Sequence, residues 1–169
     1  MAEEIINRVA NSSLITFDLE DYYPEGERMV LDLKEWLYEG FVLREKEFRQ
    51  LAKDHNWSAY TDAYVAITCS SDAIIPAWAS LLITIHLEPF AKRIRFGSLA
   101  ELETSIYQDV LSELNIEQFI DKPIIIKGCA NKPVPANAYI MAAEKLKPVA
   151  KSIMYGEACS AVPLYKKPK

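Results

Sequence analysis

A chain of 169 residues, half of them hydrophobic and a quarter charged, has the composition of a globular protein that buries a core without disulfides. Its formal net charge of −5 and its pI near 5.2 argue against nucleic acid as the main partner, because phosphate binding needs a basic surface. The longest uncharged run, residues 73–87, is too short to span a bilayer, and the acidic N-terminus does not resemble a secretory signal. We therefore expect a cytoplasmic protein without a membrane segment.

Residues 1–62 are predicted to form a mainly helical N-terminal extension. Two stretches of this region resemble each other, Phe17-Asp18-Leu19-Glu20-Asp21 and Leu31-Asp32-Leu33-Lys34-Glu35. In both, an aspartate precedes a carboxylate by three positions, which is typical of a helix N-cap, so we interpret Asp18 and Asp32 as caps rather than metal ligands. A charged amphipathic helix is predicted over 43–52. His55 follows in a polar loop, where we interpret it as a surface residue, with a ligand or proton carrier as the alternative.

Beyond this extension, strand and helix patterns alternate. The predicted strands cover 64–68, 93–96, 124–127 and 152–155, and the predicted helices cover 76–90, 98–114 and 135–146. Strands that alternate with helices indicate a parallel sheet with right-handed crossovers. The predicted fold is therefore a single α/β domain over 1–169. Its core at 63–169 is an open, mostly parallel sheet of about four strands with helices on both faces.

Each of the three cysteines lies just after a predicted strand: Cys69, Cys129 and Cys159. The carboxyl ends of parallel strands gather at one edge of a sheet, where ligands bind. The usual doubly wound strand order, 2-1-3-4, would make the three strands that precede the cysteines neighbours, about 5 Å apart. We therefore expect the three thiols to converge.

Three thiolates with one further donor form a tetrahedral site for zinc, or for iron in a cluster-assembly role. Asp72 is the leading fourth ligand, with Glu157 and His55 as alternatives. The predicted metal site is accordingly Cys69, Cys129, Cys159 and Asp72. Because the sequence has no CxxC pair, this prediction depends on the thiols meeting in space.

Two other interpretations of the thiols stay open. Cys129 follows a glycine and Cys69 precedes a helix, so nearby backbone N–H groups would favour a thiolate suited to sulfur transfer or disulfide cycling. Free cysteines are also commonly buried and inert, which would fit a structural interaction module. The sequence has no glycine-rich phosphate-binding motif and no GxSxG elbow. Since no acid–base pair stands out, a binding role is favoured over turnover, and enzymatic activity is left open.

Three stretches, residues 43–49, 67–79 and 152–166, resemble an uncharacterised bacterial domain-of-unknown-function family, number two-four-eight-zero in its series. The resemblance covers essentially the whole chain. Genes of this family often lie beside iron–sulfur cluster assembly genes. The resemblance therefore implies a metal- or sulfur-handling accessory protein with iron–sulfur assembly proteins as its partners, by association rather than by mechanism.

Overall fold

The computed structural model describes residues 13–128 and 131–168, and within them it has seven strands and four α-helices. The strands are β1 Ile15–Phe17, β2 Arg28–Asp32, β3 Tyr64–Thr68, β4 Arg93–Phe96, β5 Pro123–Ile126, β6 Ser152–Tyr155 and β7 Val162–Lys166. The helices are α1 Glu45–Asp54, α2 Ala77–Leu87, α3 Leu99–Ser112 and α4 Ala136–Leu146. None of the helices in the described part of the chain has the length and apolar character needed to cross a membrane.

The chain divides into two compact units. The continuous unit comprises residues 24–106 and contains a parallel sheet with the strand order β2-β3-β4. Its central strand β3 is buried over its three middle residues, and such a continuous apolar run is typical of a parallel strand that is covered on both faces. Val65 and Ile67 of β3 pack in one core with Phe48 of α1 and Ile83 of α2.

The split unit comprises the described residues up to 23 and from 107 onward. Its sheet has the order β1-β5-β6-β7, in which β1, β5 and β6 are parallel and β7 runs antiparallel to β6. Ile124 and Ile126 of β5 pack in its core with Leu146 of α4 and Tyr107 of α3. The Tyr107 hydroxyl donates a hydrogen bond of 2.9 Å to the backbone oxygen of Leu19.

The two units repeat one order of elements. Residues 62–97 of the continuous unit match residues 121–156 of the split unit without a gap, each position lying 59 residues before its counterpart. Asp62 and Asp121 both have a left-handed backbone, with φ of +60° and +54°. The pattern extends to further identical pairs, Pro76 with Pro135, Leu87 with Leu146, Pro89 with Pro148 and Gly97 with Gly156. One β-α-β design is thus used twice.

The backbone hydrogen bonds repeat with the sequence. Gly97 donates to Ile67 across 2.8 Å, and Gly156 donates to Ile126 across 3.0 Å, so each glycine closes the end of its sheet in the same way. The strands β1 and β2 also correspond, since each lies beside the central strand of its own sheet. Because β1 precedes the continuous unit in sequence, one repeat is nested inside the other.

The predicted fold class is confirmed: the protein is α/β with a mostly parallel four-stranded sheet. The four predicted strands exist, but β1, β2 and β7 were not predicted. The predicted order is wrong at one point, because β3 and β5 are not neighbours and belong to different sheets. The place beside β3 is taken by β2 and the place beside β5 by β1, and short strand patterns do not reveal their pairing partners.

Candidate functional site

The described residues of the predicted metal site belong to different units of the chain. Cys69 follows β3 in the continuous unit, which also contains the exposed Asp72, whereas Cys159 follows β6 in the split unit. Cys129 lies outside the described residues. Within the described part of the chain, no group of three or more histidine, cysteine, aspartate or glutamate side chains is placed to hold a metal ion. Which of the thiols could come together must therefore be inferred from the strands that precede the cysteines.

The carboxyl edge of the four-stranded sheet is formed by the residues that follow β1, β5 and β6. Lys127, directly after β5, donates a hydrogen bond of 2.6 Å from Nζ to Oδ2 of Asp18, directly after β1. The other carboxylate oxygen of Asp18 accepts the backbone N–H of Glu20 at 3.0 Å. Asp18 thus caps the short 3-10 turn Leu19–Tyr22 as predicted, and it also fixes the lysine of the neighbouring strand.

The ion pair stabilises the charged forms of both partners. Burial acts to raise the pKa of the Asp18 carboxyl, but the hydrogen bonds from Lys127 and Glu20 and the lysine charge outweigh it, so that the pKa is lowered. The hydrogen bond to Asp18 and the charge of Asp18 raise the pKa of Lys127, and the charges of Glu20 and Glu157 add to this effect. The carboxylates of Asp18, Glu20 and Glu157 therefore all raise the pKa of Lys127.

Glu20 binds the backbone of the loop that precedes α4. Its Oε1 accepts the backbone N–H of Asn131 and, at 2.9 Å, that of Lys132. Two amides that bind one carboxylate oxygen form a small anion-binding arrangement of the type found in turns. Glu20, which lies shortly after β1, thereby fixes the segment that leads into α4.

Tyr155, the last residue of β6, lies against Gly128. Its hydroxyl is 3.4 Å from the backbone oxygen of Gly128, to which it donates. A Cβ atom at position 128 would lie 2.9 Å from Cζ of the tyrosine, so only glycine allows this approach without displacement of the ring. The residue before Cys129 is therefore in direct contact with the end of the strand that leads to Cys159.

Cys159 is exposed and lies in a turn in which the backbone N–H of Ser160 donates to the oxygen of Glu157 at 2.9 Å. Glu157 lies close enough to Lys127 for its charge to affect the lysine. This turn therefore presents a thiol to solvent two positions after a carboxylate. These are the properties of an accessible ligand or nucleophile rather than of a core cysteine.

Cys69 has a different environment. It is half-buried and packs against the core of the continuous unit, with its Sγ 3.3 Å from Oγ of Ser71. Asp32, the counterpart of Asp18, accepts the backbone N–H groups of Lys34 and Ser70, each at 3.0 Å. Asp32 thus acts as the predicted cap, and it fixes the backbone that follows Cys69 instead of pairing with a lysine.

His55, which was named as an alternative ligand, belongs to an aromatic cluster of the continuous unit. Its ring centroid is 4.6 Å from that of Trp57 and 5.0 Å from that of Trp36, and its Nε2 is 3.2 Å from the hydroxyl of Tyr60. Burial lowers the pKa of the imidazole. The surroundings of His55 are those of a packed side chain.

Sequence reasoning missed Glu20 and Tyr155 as parts of the carboxyl edge. The similarity of the stretches that begin at Phe17 and Leu31 was visible, and in the structure the two stretches are equivalent strand ends, each followed directly by a short 3-10 helix. The contact between Tyr155 and Gly128 had no signal beyond the glycine itself. It depends on the pairing of β5 with β6, which the sequence pattern does not show.

Residues 3–167 match a family described as protein of unknown function, number 2480 in its series of such domains. The chain belongs to this family. The match spans nearly the full sequence and therefore includes both units. No curated protein matches the chain, and no solved structure matches it either.

Proposed function

We propose that this chain is a metal- or sulfur-handling accessory protein of iron–sulfur cluster assembly in the cytoplasm, with Cys129 and Cys159 as its working thiols. One observation carries the proposal: the strands that lead to these two cysteines, β5 and β6, are parallel neighbours in register, with Ile126 opposite Tyr155. Neighbouring strand ends lie about 5 Å apart, so short loops from them reach a common point.

The contact between Gly128 and Tyr155 supports this pairing of thiols. It brings the backbone immediately before Cys129 against the last residue of β6. From there only three residues separate Tyr155 from Cys159. Two thiolates bind zinc or iron well, because soft sulfur donors suit both metals.

The remaining ligands would be oxygen donors or groups supplied by a partner. Glu157 is the nearest candidate by sequence, two positions before Cys159, whereas Asp18 and Glu20 are occupied by Lys127 and by the backbone amides after Cys129. A site with two protein thiolates and an open coordination position is suited to transfer of a metal or of sulfur to another protein. Iron–sulfur assembly proteins are the proposed partners, by the association that the family resemblance implies.

Cys69 and Asp72, the other two predicted ligands, belong to the continuous unit, and Cys69 packs against its core. We therefore restrict the proposal to the two thiols of the split unit. Cys69→Ser and Asp72→Asn then become controls, which are expected to leave metal binding unchanged. Loss of the metal in either control would indicate that the residue changed in that control is also a ligand, as in the predicted four-residue site.

The test is metal analysis of the protein purified without chelator. We expect near-stoichiometric zinc or iron in the native protein and in Cys69→Ser, and loss of the metal in Cys129→Ser and Cys159→Ser. Absence of zinc and iron from the native protein, together with no uptake on reconstitution, would contradict a metal-handling role. Circular dichroism of each variant checks that the fold is intact.

A cysteine-dependent sulfur-transfer or thiol-redox enzyme is the second candidate, favoured by the exposure of Cys159. It predicts that one thiol of the native, metal-free protein reacts rapidly with a disulfide reagent, and that Cys159→Ser removes this fast phase. Slow reaction of all three thiols in a metal-free protein would leave a structural interaction module with inert thiols.

A further inference from the structure

The charge of this protein is unevenly distributed along its chain. Residues 1–120 contain 21 acidic and 10 basic residues, whereas residues 121–169 contain nine lysines and only three acidic residues. The C-terminal part, which belongs to the split unit, therefore has a net charge of +6 within a chain whose total is −5. Whether these lysines form a surface that attracts anions depends on where they lie in the fold.

Three of these lysines form a row at the amino edge of the split unit's sheet, opposite to the carboxyl edge at which Lys127 and Asp18 lie. Lys122 directly precedes β5, Lys151 directly precedes β6, and Lys167 directly follows the antiparallel strand β7. The backbone N–H of Lys151 donates to the oxygen of Lys122 at 2.9 Å, and that of Lys167 donates to the oxygen of Lys151 at 2.9 Å. We call these three exposed residues the lysine row.

An open cavity of about 530 Å³ lies beside the lysine row. Its lining contains Lys151, Lys166 and Lys167 together with Asp121 and Pro168. Asp121 accepts a hydrogen bond of 2.7 Å from Nζ of Lys167, and this bond with the nearby lysine charges lowers the pKa of the carboxyl. Three lysines against one carboxylate give the cavity a net positive charge, and its volume is in the range of small-molecule sites.

The fold itself does not require the lysine row, as the second copy of the repeat shows. The counterpart of Lys122 in the continuous unit is Ala63, and the counterpart of Lys151 is Lys92. Lys92 has local partners, because its Nζ donates to the backbone oxygen of Glu25 at 3.2 Å and lies over the ring of Tyr64. The continuous unit therefore forms the same backbone with only one lysine at these two positions, and that lysine already has local partners.

Protection of the edge strand does not explain the whole lysine row. Lysine and proline on β7 discourage pairing of an edge strand with another chain, and this explains Lys166 and Lys167 but neither Lys122 nor Lys151, which adjoin interior strands. Exposed like charges that lie side by side repel one another. Lys122 and Lys151 are thus not explained by the fold and are available to bind an anion.

We propose that the lysine row and its cavity bind a small polyanion, a molecule that bears two or more phosphate or carboxylate groups. The small volume of the cavity favours a small molecule over an extended polymer, and the acidic balance of residues 1–120 disfavours nucleic acid. Lysine ammonium groups bind phosphate and carboxylate oxygens as point charges. This site is independent of the proposed thiol pair, because the strand ends that lead to those cysteines form the other edge of the sheet.

The test is isothermal titration calorimetry of the full chain at low ionic strength, with pyrophosphate and citrate as separate ligands. We expect at least one of them to bind with a stoichiometry near one, and to bind more weakly as salt is added. Lys122→Gln/Lys151→Gln should lose affinity by about tenfold or more. The matched control Lys46→Gln/Lys53→Gln removes the same charge from the exposed face of α1 and should bind like the native protein.

Comparison of the two ligands shows which anionic group the site prefers. Tighter binding of pyrophosphate indicates phosphate groups, and tighter binding of citrate indicates carboxylates. The proposal is overturned if neither ligand binds the native protein, or if the control pair loses as much affinity as the lysine-row pair. It is also overturned if only a poly-glutamate peptide binds, since that would indicate an acidic protein surface as the partner. Urea unfolding of both double variants shows whether each is folded.

Discussion

Arg28 and Glu103 form a nearly buried ion pair whose contribution to stability can be measured directly. Nε of Arg28 lies 2.6 Å from Oε1 of Glu103, and the two side chains are only 13% and 11% exposed. Arg28 also donates to the backbone oxygens of Pro24 at 2.8 Å and Gly26 at 2.7 Å. Replacement of either partner therefore leaves a different set of unsatisfied groups.

Arg28→Met leaves the Glu103 carboxylate without its main partner and two carbonyl groups without their donor, so we expect a loss of about 3–5 kcal/mol in the free energy of unfolding. Glu103→Met should cost less, about 2–3 kcal/mol, because the guanidinium keeps both carbonyl acceptors. The double variant removes the buried charge altogether and should cost less than the sum of the single variants, by about 2 kcal/mol. Urea unfolding of the four proteins provides this double-mutant cycle.

The matched control is the exposed pair of Arg49 and Glu45 on α1, which has a similar distance of 2.9 Å but side chains that are 54% and 64% exposed. Arg49→Met should change the free energy of unfolding by no more than about 0.5 kcal/mol. If Arg28→Met costs as little as Arg49→Met, or if the two single changes at positions 28 and 103 are additive, the assigned burial and pairing are wrong.

Three further predictions test other parts of the structure. Because burial lowers the pKa of His55 below 6.5, the unfolded chain binds the proton first as the pH falls, so stability should be complete above that pH and decrease as the pH is lowered through it; urea unfolding at a series of pH values below 6.5 should show a loss that His55→Gln abolishes. Gly128→Ala should displace the ring of Tyr155, seen as a shifted tyrosine resonance in NMR spectra, and an unshifted ring would exclude the contact. Leu87→Ala and Leu146→Ala, at equivalent fully buried positions of the repeat, should each lower the free energy of unfolding by about 2–5 kcal/mol, and a negligible loss at either site would contradict the shared design.

The sequence predicted the elements of the repeated β-α-β design well because their signals are local. Apolar runs mark β3, β5 and β6, and the cap formed by Ser98 and Glu101 is present at the start of α3. The missed strands lack such signals: β1 has three residues, β2 contains charged residues at both ends, and β7 is largely exposed and contains a proline. Their positions are decided by pairing with strands that are distant in sequence.

The candidate site could be predicted only in part for the same reason. The sequence predicted that each cysteine follows a strand. It did not show which sheet each of these strands joins, because that depends on the nested order of the repeats. That order has a sequence signal, since Asp62, Pro76 and Gly97 recur 59 positions later as Asp121, Pro135 and Gly156. Alignment of the chain with itself would have assigned Cys69 to one repeat and Cys129 to the other.

The most direct test of the proposed thiol pair is titration of the metal-free, reduced protein with cobalt(II), followed by absorbance in the thiolate-to-metal charge-transfer region. The intensity of this band counts the thiolates that bind one metal ion. We expect two thiolates per cobalt, a band unchanged in Cys69→Ser, and loss of the band in Cys129→Ser or Cys159→Ser. A band from three thiolates that needs Cys69, or no band at all, would contradict the proposal that the neighbouring strands β5 and β6 deliver the two working thiols.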